Sequence, residues 1–255
     1  MKKSALKPLF AALLLAGTCA AQAAHLEVVD QLVFGGYSGS LNGAAFSADA
    51  LDLSQDGDVS LLSGLSVTDT NYTHSSAADG YFFKTSQNFS MSITQAFTAA
   101  AGNIFSGDTL VGMPVITLKV AADGEAAGSD VFVSFSGLAS AFNSYASGSG
   151  ALTMDMAVIS GSSTLGSYLW DASAVLSADQ FISFGFNAKV GDELLLSGNM
   201  LSSLSADGAQ ALDVSASGQL AGAFTVTAVP EPEQYAMLLA GLGLMGLSIR
   251  RRAQV

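Results

Sequence analysis

Short segments in which apolar and polar residues alternate fill the chain between residues 24 and 229. In DVFVSFSG, residues 130–137, the alternation puts three apolar side chains on one side of the backbone: Val131, Val133 and Phe135. A period of two residues is typical of a half-buried β-strand, because successive side chains point to opposite faces. The pattern recurs in NFSMSITQAF and in six further segments: LEVVDQLVF, VITLKVAAD, LTMDMAVIS, FISFGFNAKV, LLLSGNM and GAFTVTAV. The series predicts an all-β domain, an antiparallel β-sandwich or jelly-roll-like fold of roughly eight to twelve strands.

Asp-Gly pairs punctuate these segments at residues 56–57, 79–80, 123–124 and 207–208. The pair suits the positive φ angles of a two-residue hairpin turn, so each is predicted to join two strands. The stretch NSYASGSGAL, residues 143–152, is rich in small polar residues and predicts a long loop within the same domain.

Residues 1–23 have the pattern of a secretory signal peptide. They combine a basic head, an apolar run over residues 9–17 and two small residues, Ala21 and Ala23, that frame an A-x-A cleavage site. Signal peptidase is therefore expected to cut after Ala23, which leaves a domain of residues 24–229. Thr18 stands where a lipoprotein signal needs Gly or Ala before its cysteine, which argues against lipidation of Cys19.

The formal net charge of the chain is −12. The predicted domain is more acidic than the whole chain, because six of the nine basic residues lie in the terminal segments outside it. Between residues 24 and 229 only Lys84, Lys119 and Lys189 balance 19 acidic residues. Nucleic acid and anionic membrane surfaces repel such a domain, and its charge favours solubility. Cys19 is the only cysteine, so the cleaved protein has neither a disulfide framework nor a cysteine-ligated metal site.

A catalytic site is hard to build from this sequence. It has two histidines: His25 beside the predicted mature N-terminus, where a chain is usually mobile, and His74 in TNYTHSSAADG, which predicts a solvated loop. No G-x-S-x-G motif nominates a serine nucleophile. Glu125 and Asp155 are the carboxylates to inspect first for glycoside hydrolysis, but most aspartates fall in predicted turns. We therefore predict no catalytic residue and no enzymatic activity.

One stretch has the spacing of a cation-binding loop. In DLSQDGDV, oxygen-bearing side chains stand at every second position: Asp52, Ser54, Asp56 and Asp58. Gly57 supplies the sharp turn that such a loop needs at its sixth position, but Ser63 stands at the twelfth, where a bidentate carboxylate should complete the shell. The two alternatives are a weak Ca²⁺ site and an ordinary Asp-Gly hairpin turn. No other cofactor is predicted.

The C-terminal segment, residues 230–255, combines three features in a fixed order. It opens with Pro-Glu-Pro, whose prolines keep the backbone extended. The apolar run over residues 235–249 would form a helix of about 22 Å, short for the roughly 30 Å core of a bilayer, and so predicts a marginal transmembrane helix. Arg250, Arg251 and Arg252 would hold the tail on the cytoplasmic side, because positive charge resists translocation. A short helix after an extended hinge indicates a segment for processing more than a plain anchor.

This tail resembles the PEP-CTERM sorting signal of Gram-negative bacteria. The head of that signal is matched by Val229, Pro230, Glu231 and Pro232, and the apolar helix and the three arginines follow in the same order. The resemblance implies transient insertion in the inner membrane, recognition by an exosortase-type membrane transpeptidase and cleavage near Pro-Glu-Pro. It also implies delivery to the cell surface or the extracellular polysaccharide matrix. The domain before the tail resembles no named family.

We expect a non-enzymatic exported protein of the cell surface or extracellular matrix, associated with a biofilm or exopolysaccharide. The alternative is a carbohydrate-binding or adhesin module, with or without help from Ca²⁺, and a glycan-active enzyme is the third. Aromatic side chains along an exposed face would favour the module, whereas two carboxyl groups about 5 to 10 Å apart in a groove would favour the enzyme. Trp170, the only tryptophan, is more typical of core or sheet packing than of sugar stacking.

Overall fold

A computed structural model of the chain describes residues 24–52, 63–68, 72–83, 87–229, 236 and 239–242. Residues 236 and 239–242 are helical. In the part of the chain that is described, no helix is both long enough and apolar enough to cross a membrane. The other described residues form twelve strands and the turns and loops between them: β1 His25–Leu41, β2 Ala44–Asp52, β3 Ser63–Thr68, β4 Tyr72–Phe83, β5 Asn88–Ala99, β6 Phe105–Ala121, β7 Asp130–Tyr145, β8 Ser149–Ser160, β9 Ser163–Asp171, β10 Ser177–Lys189, β11 Glu193–Ala206 and β12 Leu212–Ala228.

The twelve strands pair into two antiparallel sheets of six. Sheet A has the order β2-β1-β6-β11-β8-β9, and sheet B has the order β10-β7-β12-β5-β4-β3. Most consecutive strands lie in different sheets, so the chain repeatedly crosses from one layer to the other. The architecture confirms the predicted all-β sandwich.

Strand β7 shows how the alternating pattern builds the core. Val131, Val133 and Phe135 are fully buried between the sheets, whereas Phe132 is 41% exposed on the outer face. The buried side chains of the other strands join them in one large apolar cluster that fills most of the space between the sheets. Burial of this apolar surface is the main source of the fold's stability.

A row of polar side chains crosses the interior near one end of the sandwich. Ser76 of β4 and Thr109 of β6 form a hydrogen bond of 2.7 Å between the sheets, and the Ser202 hydroxyl of β11 donates to Gln95 Oε1 of β5 at 3.0 Å. Ser76 is opposite Gln95 in sheet B, and Thr109 is opposite Ser202 in sheet A, so the four form a single transverse layer. We call these four residues the polar belt. Beyond the belt lies a second, smaller apolar cluster that is rich in aromatic rings.

The two ends of the sandwich differ in what they carry. Strand β1 begins at His25 opposite Ala121, and β12 ends at Ala228 opposite Val131, so both ends of the domain lie beside the β6–β7 connection. We call this end the proximal pole. The opposite end, the distal pole, carries the turns at residues 42–43, 100–104, 146–148 and 207–211. Because β12 has 17 residues, the poles are about 50 Å apart.

Two of the predicted turns are wrong. Asp79 and Gly80 lie inside β4, where Gly80 is buried against sheet A. A Cβ at Gly80 would lie 3.1 Å from the Met113 side chain, so the glycine serves close packing of the sheets. Residues 143–152 are not a long loop either, because β7 continues to Tyr145 and β8 begins at Ser149.

The Asp-Gly pairs at residues 123–124 and 207–208 do lie between strands, but neither forms the predicted two-residue hairpin turn, because each connection is longer and joins strands of different sheets. Gly124 has a φ of 130° and Gly208 a φ of 79°, conformations that favour glycine. The pair at residues 56–57 lies outside the described residues.

Candidate functional site

The turn between β1 and β2 forms one side of the distal pole. Asn42 and Gly43 both have positive φ, 50° and 82°, which fits the two-residue hairpin turn that Asn-Gly favours. Asn42 Oδ1 accepts a hydrogen bond from the Ile104 backbone N–H at 2.8 Å, and Asn42 Nδ2 donates to Asn103 Oδ1 at 2.9 Å. The β1–β2 turn is therefore fixed to the turn between β5 and β6. Sequence reasoning missed this Asn-Gly pair, although the pair itself was a sufficient signal.

An apolar pocket of about 390 Å³ opens beside this turn. Its walls combine aromatic rings from four strands with other side chains of the β1–β2 hairpin: Phe46, Tyr72, His74, Phe97, Phe105, Leu41, Asn42, Ala44 and Ala45. Among the described residues that line it, none carries an acidic, Lys or Arg side chain. We call this cavity the aromatic pocket.

The rings of the aromatic pocket pack in a near-parallel series. Phe97 and Phe105 stack with centroids 4.0 Å apart and planes at 7°, and Phe46 lies 6.2 Å from Phe105 at 14°. The His74 imidazole approaches both Phe46 and Phe105 at 5.3 Å. These contacts join sheet A and sheet B, so the rings that line the pocket also close this end of the core.

His74 is buried, and the prediction of a solvated loop histidine is wrong. The residue lies in β4, is 3% exposed, and has a buried Nε2 with no hydrogen-bond partner in the described part of the chain. Burial lowers the pKa of the imidazole, which favours its neutral form. The alternation of apolar and polar residues did not predict this strand, because the inward residues near the start of β4 are Tyr72, His74 and Ser76, which are mostly polar.

A polar groove of about 390 Å³ lies on the outer face of sheet A close to the same pole. Hydroxyls and one carboxylate line it: Ser38, Ser106, Asp108, Ser149, Ser203 and Ser205. Ser149 and Ser205 are hydrogen-bonded at 2.8 Å, and Ser106 is hydrogen-bonded to Ser40 at 3.2 Å. We call this surface the serine groove. Its hydroxyls present both donors and acceptors to solvent.

His25 is not part of a free N-terminal end of the domain. It is the first residue of β1 at the proximal pole, and its Nδ1 lies 2.8 Å from Asp123 Oδ2. The expected mobility of this terminus is therefore wrong, because strand pairing and the Asp123 contact both hold the residue.

Glu125 and Asp155 do not face each other. Asp155 of β8 lies opposite Asn199 of β11, and Asn199 in turn lies opposite Gly112 of β6. The Asn199 Nδ2 donates a hydrogen bond to Asp155 Oδ1 at 3.2 Å. Burial raises the pKa of Asp155, and this hydrogen bond opposes the rise. Glu125 lies beyond the end of β6, where its Oε2 accepts from the Asp123 backbone N–H at 2.9 Å. The intervening part of β6 is about 30 Å long, several times the separation that glycosidases use.

Trp170 is 7% exposed and packs in the large core cluster, which confirms the core interpretation. Its neighbour Tyr168 donates its hydroxyl to Gln180 Oε1 at 3.1 Å, and burial raises the pKa of Tyr168 to about 12. Neither ring therefore supports the sugar-stacking alternative.

The predicted Ca²⁺ loop falls largely outside the described residues. Asp52 ends β2, whereas Ser54, Asp56 and Asp58 are not described. Within the described ranges, no group of three or more His, Cys, Asp or Glu side chains could hold a metal ion. The Ca²⁺ site thus stays a prediction.

The segment that follows the C-terminal end of the domain matches a known sequence motif. The profile of the PEP-CTERM protein-sorting motif matches residues 228–252. The chain carries a PEP-CTERM sorting motif. The match begins at Ala228, the last residue of β12, so the fold ends where the motif starts. The Val229 backbone N–H donates to the Asp130 carbonyl oxygen at 3.0 Å, whereas residues 230–232 and the three arginines lie outside the described residues.

The PEP-CTERM motif identifies an exported protein that is sorted through a C-terminal signal and passes via the membrane. It also implies processing by an exosortase-type membrane enzyme. The predicted signal peptide at residues 1–23 is consistent with this route but lies outside the described residues.

The motif covers only the tail, and no curated protein matches the chain. Among solved structures, the infectious bursal disease virus VP2 subviral particle is similar at 11% identity and a TM-score of 0.18, over 91% of this chain and 75% of that one. The Gt strain of the same virus is similar at 10% identity and a TM-score of 0.15, over 83% and 68%. Such low TM-scores support no conclusion about this protein.

Proposed function

We propose that the protein is a non-enzymatic component of the cell surface or of an extracellular polysaccharide matrix, delivered there by its PEP-CTERM motif. The observation that carries the proposal is where the motif begins, at the end of β12 on the proximal pole. Cleavage near Pro-Glu-Pro leaves the sandwich whole. While the tail is in the membrane, the distal pole with its pocket and groove is the end free to meet the surroundings. The wide separation of Glu125 and Asp155 supports a non-enzymatic role.

Cell fractionation tests the sorting step. Replacing Pro230, Glu231 and Pro232 with Ala removes the two prolines that keep the hinge extended, so the processing enzyme should lose its substrate. We expect uncleaved protein in the inner membrane with its domain in the periplasm. Wild-type protein should appear outside the cell without its arginines, as mass spectrometry would show.

Two further variants make the result specific. Deletion of Arg250–Arg252 should send intact protein into the periplasm, because nothing then holds the marginal helix on the cytoplasmic side. Glu233→Ala, just beyond the hinge, is the matched control and should be processed normally. Wild-type protein recovered from the cell surface with residues 233–255 intact would show that the tail is a plain anchor.

The second candidate function is a carbohydrate-binding or adhesin module. The serine groove favours it, because hydroxyls and a carboxylate on the outer face of sheet A can hydrogen-bond the hydroxyls of a sugar chain. The groove lies near the distal pole, which the tail leaves accessible. The Ca²⁺ candidates Asp52, Ser54, Asp56 and Asp58 belong to this second function, as ligands of a cation that assists binding.

A further inference from the structure

We propose that strand β10 is a self-association edge, which pairs antiparallel with β10 of a second copy of the chain about a two-fold axis at Phe184. The interaction goes beyond the sorting function, because β10 lies outside the PEP-CTERM motif. β10 runs along the side of the sandwich, from Ser177 opposite Phe142 to Lys189 opposite Asp130. The pairing edge therefore extends between the two poles.

β10 is the least protected of the four edge strands. It has 13 residues in unbroken register with β7, and no other strand in the described part of the chain pairs with it. By contrast, β2 and β3 have nine and six residues, and β9 pairs with β8 through a register shift. Short strands and bulges are two ways in which proteins block edge pairing. Residues 181–186 of β10, FISFGF, are uncharged and contain no proline, which favours addition of another strand.

The odd-numbered residues of β10 direct their backbone groups to the open edge. The Val190 N–H donates to the Ser129 carbonyl oxygen at 3.0 Å, and the Asn143 N–H donates to the Leu176 carbonyl oxygen at 2.8 Å. These bonds flank β10 and continue its register with β7, so the even-numbered residues bond β7. In an antiparallel pair such residues alternate with residues whose N–H and C=O groups point away. The odd-numbered residues within 179–187 therefore offer their backbone groups to a further strand.

The charges of β10 select one register. Asp179 and Lys189 lie five residues before and five residues after Phe184, and both side chains are exposed. Antiparallel pairing centred on Phe184 places each Asp179 opposite Lys189 of the other copy. Opposite charges at facing positions stabilise an antiparallel pair, whereas like charges destabilise it. Lys189 is able to make this contact, since its ion pair with Asp130 at 3.2 Å leaves its side chain 60% exposed.

Phe181 is buried by this arrangement. Its side chain is 91% exposed in the single chain, the highest value among the large apolar side chains that are described. Phe181 faces Asn187 of the second copy and lies diagonally beside its Gly185. The Phe132 ring lies against Gly185, where an added Cβ would clash with it. Phe181 of one copy and Phe132 of the other thus pack together, which removes apolar surface from water.

Sedimentation velocity of the full-length chain in detergent tests the pairing. We expect the wild type to convert from monomer to dimer as its concentration rises through the micromolar range. Ser183→Pro removes an outward N–H that does not bond β7, so the fold should persist while the dimer weakens at least about tenfold. Ser183→Ala keeps the N–H and is the matched control, which should dimerise like the wild type. A thermal melt checks that each variant is folded.

A charge exchange tests the register. Asp179→Lys and Lys189→Asp should each weaken the dimer about tenfold, because like charges then face each other twice. An equal mixture of the two variants should form a heterodimer, in which every facing pair is again of opposite charge. A wild type that stays monomeric at high micromolar concentration would overturn the proposal, as would a dimer insensitive to Ser183→Pro. A mixture no more dimeric than its components would overturn the Phe184-centred register.

Discussion

At the scale of single residues, His74 links the ionisation of one side chain to the stability of the fold. In the unfolded chain an imidazole takes up a proton near its ordinary pKa of about 6.5, whereas burial lowers the pKa of His74 in the folded state. Between these two values the unfolded state binds more protons. The free energy of unfolding is therefore undiminished above about pH 6.5 and falls as the pH drops toward the folded-state pKa.

Replacement of His74 with Phe should remove this pH-dependent loss. We expect the variant to be more stable than the wild type by about 1 kcal/mol at pH 7.5, because a buried unpaired nitrogen is gone. The difference should be larger at pH 5.5. Urea unfolding at both values measures it, and an equal difference at the two pH values would contradict the assignment.

At the scale of elements, the polar belt joins the two sheets where the large core meets the aromatic cluster. Ser76 and Thr109 are 4% and 1% exposed, so loss of either hydroxyl leaves the other without its partner. We expect Thr109→Val to lower the free energy of unfolding by about 1 to 3 kcal/mol. The double variant Ser76→Ala/Thr109→Val should lose less than the sum of the single changes, because no unpaired hydroxyl remains.

Denaturant unfolding of the two single variants and the double variant completes this cycle. The exposed Ser40–Ser106 pair is the matched control: Ser106→Ala should change stability by no more than about 0.5 kcal/mol. If the losses of the two single variants add up to the loss of the double variant, Ser76 and Thr109 do not stabilise the fold through a shared hydrogen bond.

The sequence predicted elements where hydrophobicity alternates and missed them where it does not. β7 was predicted because its inward residues are large and apolar, as with Val133 and Phe135. β4 was not, since its inward residues include His74, Ser76 and Gly80, and an Asp-Gly pair within a strand resembles a turn. The aromatic pocket could not be predicted, because Phe46 lies 51 residues before Phe97 in the chain and meets Phe97 and Phe105 only through strand order.

At the scale of the whole molecule, the sorting motif begins at the proximal pole, whereas the aromatic pocket and the serine groove lie at or near the distal pole. If the protein is a carbohydrate-binding module, purified protein should co-sediment with exopolysaccharide from the organism that produces it. Asp108→Ala should weaken this binding, because it removes the carboxylate of the serine groove. Asp213→Ala, an exposed carboxylate on sheet B, is the matched control. Added millimolar calcium should strengthen binding, and Asp56→Asn/Asp58→Asn should abolish that gain. If Asp108→Ala and the wild type bind exopolysaccharide equally, the serine groove is not the binding site.

The place of β12 in sheet B also sets the order in which an exported chain can fold. β12 is the last strand in sequence, yet it pairs with β5 on one side and β7 on the other, at the centre of its sheet. A chain that crosses the membrane from its N-terminus delivers this strand last. Until residues 212–228 emerge, sheet B consists of two halves with no shared strand. Sheet B is thus complete only when the residues directly before the sorting motif are in place, so its last element and the start of the processing signal are adjacent in the chain.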